Sequence, residues 1–236
     1  MTRWLIGLLL PLLALAVAAP GGAQDKTDDK WTPLFNGKDL TGWKIHPKPS
    51  GNIEEVITKE KDGKVVGFDG KLKDGKTVSL WKVEDGILIG AGPPSHLFSA
   101  RDDYENFHYK IEAQINDKGN SGQYFRTQFG PGFPKGYEAQ INSTHGDKIR
   151  TGSLYMPSVK EVIVLEQLVK PDTWFTQEVI VNGNHIQILV DGKKTVDYKD
   201  EKNTHAKGHF ALQGHDPGTT VKFKKIEVKE LPPTKK

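Results

Sequence analysis

The feature that most constrains the fold of this chain is a repeated two-residue alternation of apolar and polar side chains. From Phe107 to Ile115, every second residue is apolar and the residues between are polar. The same period recurs in residues 121–126, 137–142 and 208–215. Because successive side chains of a β-strand point to opposite faces, this period predicts strands with one apolar and one polar face.

Short turns rich in glycine, asparagine and aspartate separate these segments. Glu84-Asp85-Gly86 and Asn182-Gly183-Asn184 each lie between two apolar runs and have hairpin chemistry. In the last segment the alternation slips by one residue near Lys224 and Lys225, which predicts a β-bulge. No long helical period is present beyond the N-terminal region, so the pattern predicts an all-β sandwich or barrel in one domain.

The N-terminus is interpreted as a secretory signal peptide, residues 1–23. Arg3 supplies the positive charge, and the apolar run from Leu5 to Ala19 is short for a membrane span and is followed by small residues. An uncleaved anchor is the alternative. We interpret residues 24–30 as a linker and residues 232–236 as a tail. These features predict an exported protein, periplasmic or secreted, without stable membrane insertion after cleavage.

Charge and cysteine content exclude several functions. The chain has 33 basic and 30 acidic residues, and this balance argues against nucleic acid as a partner. It has no cysteine, which excludes thiol catalysis, thiolate metal sites and disulfides. A domain of roughly 200 residues buries about 70% of the surface of its unfolded chain, so core burial alone can stabilise it.

An ordered series of short motifs resembles a known family. The segment Leu34-Phe35-Asn36-Gly37-Lys38-Asp39-Leu40-Thr41-Gly42-Trp43 is similar to the opening signature of the bacterial domain of unknown function 1080, the 3-keto-disaccharide hydrolase family. The resemblance extends over residues 31–231. Further motifs follow in the family's order: Asn120-Ser121-Gly122, Tyr124-Phe125-Arg126, Gly136-Tyr137-Glu138, Thr151-Gly152-Ser153-Leu154-Tyr155, Trp174, Val181-Asn182-Gly183 and Leu212-Gln213-Gly214-His215.

The resemblance implies a fold, a substrate and a reaction. The implied fold is a two-sheet antiparallel jelly-roll sandwich of the concanavalin A-like lectin and glucanase type. The implied partner is a small carbohydrate, a glycoside whose sugar carries a ketone at C3. Relatives are linked to cleavage of such glycosides by elimination and hydration, in some cases with a metal ion. Two segments depart from the family pattern: Leu212–Gly218, and residues 157–171, which contain the apolar run Val162–Leu165.

A ketone at C3 makes the proton on C2 acidic, because the resulting carbanion delocalises into the carbonyl as an enolate. Cleavage then needs a base for that proton, an acid for the departing aglycone and stabilisation of the enolate oxygen. General acid and base groups each contribute roughly 10²–10⁴-fold. Electrostatic stabilisation of the developing charge is usually the larger effect.

Three residues are the candidate catalytic groups. Glu138 is the first candidate for the acid or base, because it lies on the polar face of its strand. His215 is the second, because histidine titrates near neutral pH. Arg126 is the candidate for holding the enolate oxygen with its planar fork, the alternative being a structural ion pair. The candidate substrate-binding residues share these polar faces: Tyr124, Gln140, Asn142 and Gln213.

The cofactor and the function class remain open at this stage. His145 could join Glu138 and His215 in a two-histidine, one-carboxylate site for a divalent metal ion, if the fold brings the three together. The favoured hypothesis is an exported 3-keto-glycoside hydrolase or lyase. The alternatives are a non-catalytic carbohydrate-binding module of the same fold and a structural domain of the cell envelope. A conventional glycosidase is disfavoured, because it needs two facing carboxylates.

Overall fold

The computed structural model describes Met1 and residues 30–155 and 162–232. Residues 2–23 of the proposed signal peptide, residues 24–29 of the linker and residues 233–236 of the tail lie outside the described residues. No helix in the described part of the chain is long and apolar enough to cross a membrane.

The described chain forms two antiparallel sheets and contains no α-helix. The larger sheet has ten strands: β1 (Thr32–Pro33), β3 (Ile53–Lys61), β4 (Lys64–Leu72), β5 (Thr77–Glu84), β6 (Ile87–Ala91), β8 (Phe107–Ile115), β12 (Phe175–Asn182), β13 (His185–Val190), β14 (Lys193–Lys199) and β16 (Thr220–Glu230). The smaller sheet has six: β2 (Trp43–Ile45), β7 (Ser95–Ser99), β9 (Ser121–Thr127), β10 (Tyr137–Ile141), β11 (Leu154–Tyr155) and β15 (His209–Gly214).

The strand order shows that the chain crosses repeatedly between the two sheets. The larger sheet runs β14-β13-β12-β8-β16-β6-β5-β4-β3, with β1 beside β16, and the smaller runs β11-β10-β9-β15-β7-β2. Consecutive strands such as β6 and β7, or β8 and β9, therefore belong to different sheets. This is an all-β sandwich, as the residue pattern predicts, and it is the jelly roll that the family resemblance implies, so the fold prediction is confirmed.

The core lies between the two sheets. In β8 the five apolar residues from Phe107 to Ile115 are fully buried, while the polar residues between them are half-buried on the outer face. Cross-sheet aromatic contacts join the layers, as where the ring of Phe210 stacks 4.0 Å from that of Tyr109. Burial of apolar area on this scale supplies the main stabilisation of a chain without disulfides.

The turn and bulge predictions are also confirmed. Asp85 and Gly86 join β5 to β6 with φ values of 50° and 79°, the two positive values that a type I′ hairpin turn requires. β12 and β13 form the second hairpin, with Gly183 at φ 62°. The pairing of β16 with β8 shifts register between Phe223 and Lys225, at the slip in the alternation.

The predicted polar face of the smaller sheet is not exposed to solvent. Every residue of β7, β9, β10 and β15 is buried, on both faces. The loop 128–136 contributes to this burial, since Phe129 contacts the ring of Phe98 on the outer face at 5.0 Å. The polar residues of this face therefore line an enclosed cleft rather than an open solvated surface.

Candidate active site

A cavity of about 290 Å³ lies on the outer face of the smaller sheet. This volume is at the lower end of the range for small-molecule sites. Strands β9, β10, β11 and β15 form its floor, and the loops after β9 and β10 supply its walls. Its lining is Asn120, Tyr124, Phe133, Pro134, Gly136, Glu138, Gln140, Asp147, Tyr155, Gln213 and His215. The structure thus brings together five residues predicted from the sequence: Tyr124, Glu138, Gln140, Gln213 and His215.

Glu138 occupies the centre of this floor. In the strand register it pairs with Tyr124 of β9 on one side and with Tyr155 of β11 on the other. Its side chain lies over Gly122, where an added Cβ would come within 2.1 Å of Oε1. A larger residue at position 122 would clash with the carboxylate of Glu138 in its observed position. Glycine, which has no side chain, therefore leaves the space that Glu138 occupies.

Burial controls the protonation of Glu138. Only 5% of the residue is exposed, and burial raises the pKa of its carboxyl to about 8, with a smaller upward effect of Asp147 and an opposing interaction with Tyr124. A carboxylate loses its hydration on burial, so the neutral acid is favoured. Glu138 therefore carries a proton at neutral pH, and a shift of this kind in a cleft is typical of functional groups.

Tyr124 and Gln213 form a polar chain that leads to Glu138. The Gln213 amide Nε2 donates to the Tyr124 hydroxyl at 3.0 Å. Burial, followed by the nearby Glu138 carboxyl, holds the pKa of Tyr124 well above its usual value, so the phenol stays neutral. Gln213 Oε1 is buried and has no hydrogen-bond partner among the described residues. Buried polar atoms are rarely left unpaired, and the Gln213 side chain lines the cavity.

His215 is held by its neighbour Asp216. His215 Nδ1 lies 2.9 Å from Asp216 Oδ2. Burial tends to raise the pKa of Asp216, but hydrogen bonds from His215, Thr219 and the Gly218 backbone together lower it. An ionised carboxylate only accepts, so Nδ1 of His215 carries the proton and the lone pair of a neutral ring is on Nε2.

His145 completes a cluster that could hold a metal ion. Ligand atoms of His145, His215 and Asp216 all lie within 4.8 Å of one another, and imidazole and carboxylate donors suit divalent ions such as Zn²⁺. The sequence predicted Glu138 as the carboxylate of this metal site, and that prediction is wrong. Among the described residues no such cluster contains Glu138, and the carboxylate beside the two histidines is that of Asp216. Adjacent chain position brings Asp216 beside His215, whereas Glu138 lies within the sheet.

The expectation that Arg126 shares the cleft is wrong. Its buried guanidinium donates to three backbone carbonyls: Nε to Glu105 at 2.9 Å, Nη1 to His205 at 3.0 Å and Nη2 to Gly183 at 2.7 Å. Arg126 has a φ of 48°, and the β9–β15 register shifts beside it. The strand alternation therefore ends at this residue and its side chain turns away from the face of Tyr124. Its role is structural, with carbonyls rather than an acid as partners.

Asn142, a predicted substrate-binding residue, also does not line the cavity. Its fully buried side chain donates from Nδ2 to the carbonyls of Asp147 and Ile149, at 3.0 and 2.8 Å. Its Oδ1 accepts from the His145 backbone at 2.9 Å and from Arg150 Nη1 at 3.0 Å. All of these partners belong to the loop after β10, so Asn142 shapes the loop that positions His145 and Asp147.

The sequence analysis missed His96, whose ring packs against the cleft residues Tyr124 and Phe133. Its ring makes an edge contact with Tyr124 at 4.9 Å, and burial lowers its pKa to about 3, so it is neutral. Neither ring nitrogen has a hydrogen-bond partner of normal geometry in the described chain. His96 pairs in register with Gln213, but this relation requires the strand order, which the local pattern does not contain. Asn120, Phe133, Asp147 and Tyr155 were missed for the same reason.

The fold is a jelly-roll sandwich, and the family whose model the sequence matches is carbohydrate-related and glycosidase-like. Residues 30–229 match the model of the 3-keto-alpha-glucoside-1,2-lyase-like domain, and the chain belongs to this family. A comparison with curated proteins finds no match.

Solved structures share the fold at low sequence identity. A presumed glycosyl hydrolase from Parabacteroides distasonis is 22% identical with a TM-score of 0.60, and the match covers 86% of this chain and 94% of that one. The carbohydrate-binding module CBM66 from Bacillus subtilis is 16% identical with a TM-score of 0.50, covering 78% and 100%. A pseudo beta-1,3-glucanase from Mycobacterium tuberculosis is 8% identical with a TM-score of 0.55, covering 86% and 98%.

Proposed function

We propose that this protein is an exported enzyme that cleaves 3-keto-glycosides by proton abstraction at C2 and acid-assisted loss of the aglycone. The observation that carries the proposal is Glu138, a buried carboxyl in a sugar-sized cavity whose pKa of about 8 keeps it protonated at neutral pH. Family membership supports the substrate class. The N-terminal sequence supports export.

Glu138 is the general acid in this proposal. An acid must hold its proton until the aglycone oxygen departs, and burial gives Glu138 that property. The sequence analysis left its role as acid or base open. The raised pKa favours the acid, because a base of that pKa would be mostly protonated, and therefore inactive, at neutral pH.

His215 is the matching base. Its ring is fixed through Nδ1 by the ionised Asp216, so Nε2 is the atom that takes the proton from C2. The bond between C2 and that hydrogen breaks, and its electrons move into the C3 carbonyl as an enolate. The enolate then returns to the ketone, a C1=C2 double bond forms, and the bond from C1 to the aglycone oxygen breaks as Glu138 donates its proton to that oxygen. Addition of water to the resulting unsaturated sugar completes the hydrolysis.

The enolate oxygen needs hydrogen-bond donors or a cation. None of the described residues lining the cavity is lysine or arginine. The amides of Asn120 and Gln140 line it, and we assign the stabilisation to neutral donors of this kind. If a divalent ion binds, His145, His215 and Asp216 would hold it, and it would supply Lewis-acid polarisation of a sugar oxygen.

The deciding assay is aglycone release from a 3-keto-glucoside and from its unoxidised parent, with and without a chelator. The proposal expects release only from the ketone, because a C3 hydroxyl leaves the C2 proton far too weakly acidic. Release from the parent would indicate a conventional glycosidase. Dependence on added divalent ions would assign the histidines to metal binding and remove His215 as the base. Sugar binding without turnover would favour the carbohydrate-binding module.

A further inference from the structure

We propose that Phe133 is a specificity-determining residue, and that the sugar face that carries the C2 and C4 hydrogens packs on its ring. The inference rests on the proposed function, because it takes His215 as the base that removes the C2 hydrogen. Its consequence is selectivity at C4: a sugar with an equatorial C4 hydroxyl is favoured over the epimer in which that hydroxyl is axial.

Phe133 is an apolar side chain that the fold leaves exposed beside the candidate base. It lines the cavity that holds Glu138 and is 60% exposed. Its ring centroid lies 5.8 Å from that of His215 and 6.1 Å from that of the buried His96. Aromatic side chains are frequent in small-molecule sites, because they offer a large and rigid apolar surface. A sugar that contacts His215 is therefore within reach of this ring.

The loop that carries Phe133 is held in place by backbone hydrogen bonds. At its base, the N–H of Gln128 donates to the carbonyl of Lys135 at 2.8 Å. At the residue before Phe133, the N–H of Gly132 donates to the carbonyl of Pro49, also at 2.8 Å. The ring is therefore positioned before a ligand binds, which lowers the entropic cost of forming the contact.

A second phenylalanine of the same loop anchors it to the sheet. Phe129 packs on Phe98 of β7, with ring centroids 5.0 Å apart. The ammonium group of Lys44 lies 4.6 Å from the Phe129 ring centroid. Phe129 is not part of the cavity lining, whereas Phe133 is. Because Phe129 supplies the apolar anchor, the exposed ring of Phe133 is available to a ligand.

The stereochemistry of the reaction decides which face of the sugar meets this wall. The base must approach C2 from the face that carries its hydrogen, so that face points toward His215. In a pyranose of gluco configuration, the C2 and C4 hydrogens are both axial and lie on the same face. When C2 lies at His215, C4 comes over the neighbouring ring of Phe133. In the galacto epimer an axial hydroxyl replaces the C4 hydrogen and would lose its hydration against the ring, which is unfavourable.

Two variants at this position and one control test the contact. Phe133→Ala removes the ring, and Phe133→Tyr keeps it. Leu165→Ala is the control, because Leu165 is an apolar residue with 68% exposure that does not line the cavity. Each protein is titrated calorimetrically with methyl glucoside, methyl galactoside and phenyl glucoside of one anomeric configuration. The kcat/KM values for the 3-keto forms of the same glycosides are then measured, and thermal unfolding checks that each variant is folded.

We expect the wild type to bind methyl glucoside at least about 5-fold more tightly than methyl galactoside, from the cost of burying one hydroxyl. Phe133→Ala should weaken the binding of methyl glucoside about 10-fold and reduce this selectivity below about twofold. Phe133→Tyr should stay within about threefold of the wild type in both respects. The Leu165→Ala control should change either value less than about twofold.

Three outcomes would overturn the assignment of Phe133. They are equal binding of the two epimers by the wild type, selectivity that survives in Phe133→Ala, and a loss of affinity seen only with phenyl glucoside. The last outcome would place the ring against the aglycone instead of the sugar. Failure of the proposed function is a separate result, namely no aglycone release by the wild type from any of the 3-keto forms. Calorimetry decides the contact with the sugar in either case.

Discussion

Gly122 lies under the carboxylate of Glu138, and a methyl group at position 122 would lie 2.1 Å from Oε1. Gly122 lies on β9 and Glu138 on β10, which are neighbouring strands of the smaller sheet. The contact links a glycine in one of the sequence motifs to the position of the proposed proton donor. Gly122 has no positive φ, so its requirement is space rather than backbone conformation.

Gly122→Ala should therefore displace Glu138 while leaving the fold intact. We expect kcat/KM on a 3-keto-glucoside to fall by at least about 10-fold, because a misplaced catalytic group loses its alignment with the reacting atoms. Gly130→Ala is the control, since an added Cβ there meets nothing within 4 Å. Retention of full activity by Gly122→Ala, with a normal melting temperature, would show that the carboxylate position is not critical.

Glu138→Gln should have an effect that depends on the leaving group. Glutamine keeps the shape but cannot donate a proton to the departing oxygen. With a sugar leaving group we expect kcat to fall roughly 10²-fold or more. With a 4-nitrophenyl leaving group, which departs as a stable anion, the loss should be below about 10-fold. An equal loss on both substrates would instead identify Glu138 as the base.

Activity should also report the pKa of Glu138. If Glu138 is the acid, kcat/KM of the wild type should fall as the pH rises through about 8, where its carboxyl ionises. This alkaline decrease should be absent from the residual activity of Glu138→Gln. A rate that increases through the same range would contradict the assignment and support Glu138 as the base.

The stability of Glu138→Gln should depend on pH in a defined direction. Burial raises the folded-state pKa from 4.5 to about 8, so the favourable contribution of the neutral acid is complete below pH 4.5 and is lost as pH rises through 8. Glutamine avoids this loss. At pH 9 we expect the free energy of unfolding of the variant to exceed that of the wild type by at least about 1 kcal/mol, which corresponds to a Tm higher by about 2–4 °C. At pH 4 the two proteins should differ little in stability. Thermal unfolding at both pH values provides the measurement.

Arg126→Lys should destabilise the protein without acting on catalysis directly. Lysine cannot bridge the carbonyls of Glu105, Gly183 and His205, so buried acceptors lose partners. We expect a loss of about 2–4 kcal/mol in urea unfolding, with kcat of the folded variant within about threefold of wild type. Arg101→Lys is the control: Arg101 is an exposed arginine paired with Glu230, and its replacement should lose less than about 1 kcal/mol. A large fall in kcat with normal stability would instead show that Arg126 acts in catalysis.

The sequence by itself determined the strands and the polar residues of one face. Alternation fixed which side chains of 137–142 share a face, because a strand has a period of two whatever its neighbours are. It therefore identified Glu138 and Gln140, and the same reasoning on Gly208–His215 identified Gln213. Turn chemistry likewise located the hairpins, since Asp85, Gly86 and Gly183 adopt the positive φ that aspartate and glycine tolerate.

Only the tertiary structure decided how these faces are used. Arg126 lies one alternation step from Tyr124, yet a positive φ and a register shift turn it toward distant carbonyls. The same period predicts that Asn142 binds a ligand, but its side chain instead bonds the backbone of its own loop. The burial that raises the pKa of Glu138 comes from strands and loops far apart in the chain. Local periodicity fixes direction within one strand, whereas burial and pairing depend on which strands become neighbours, and that is settled only when the two sheets pack.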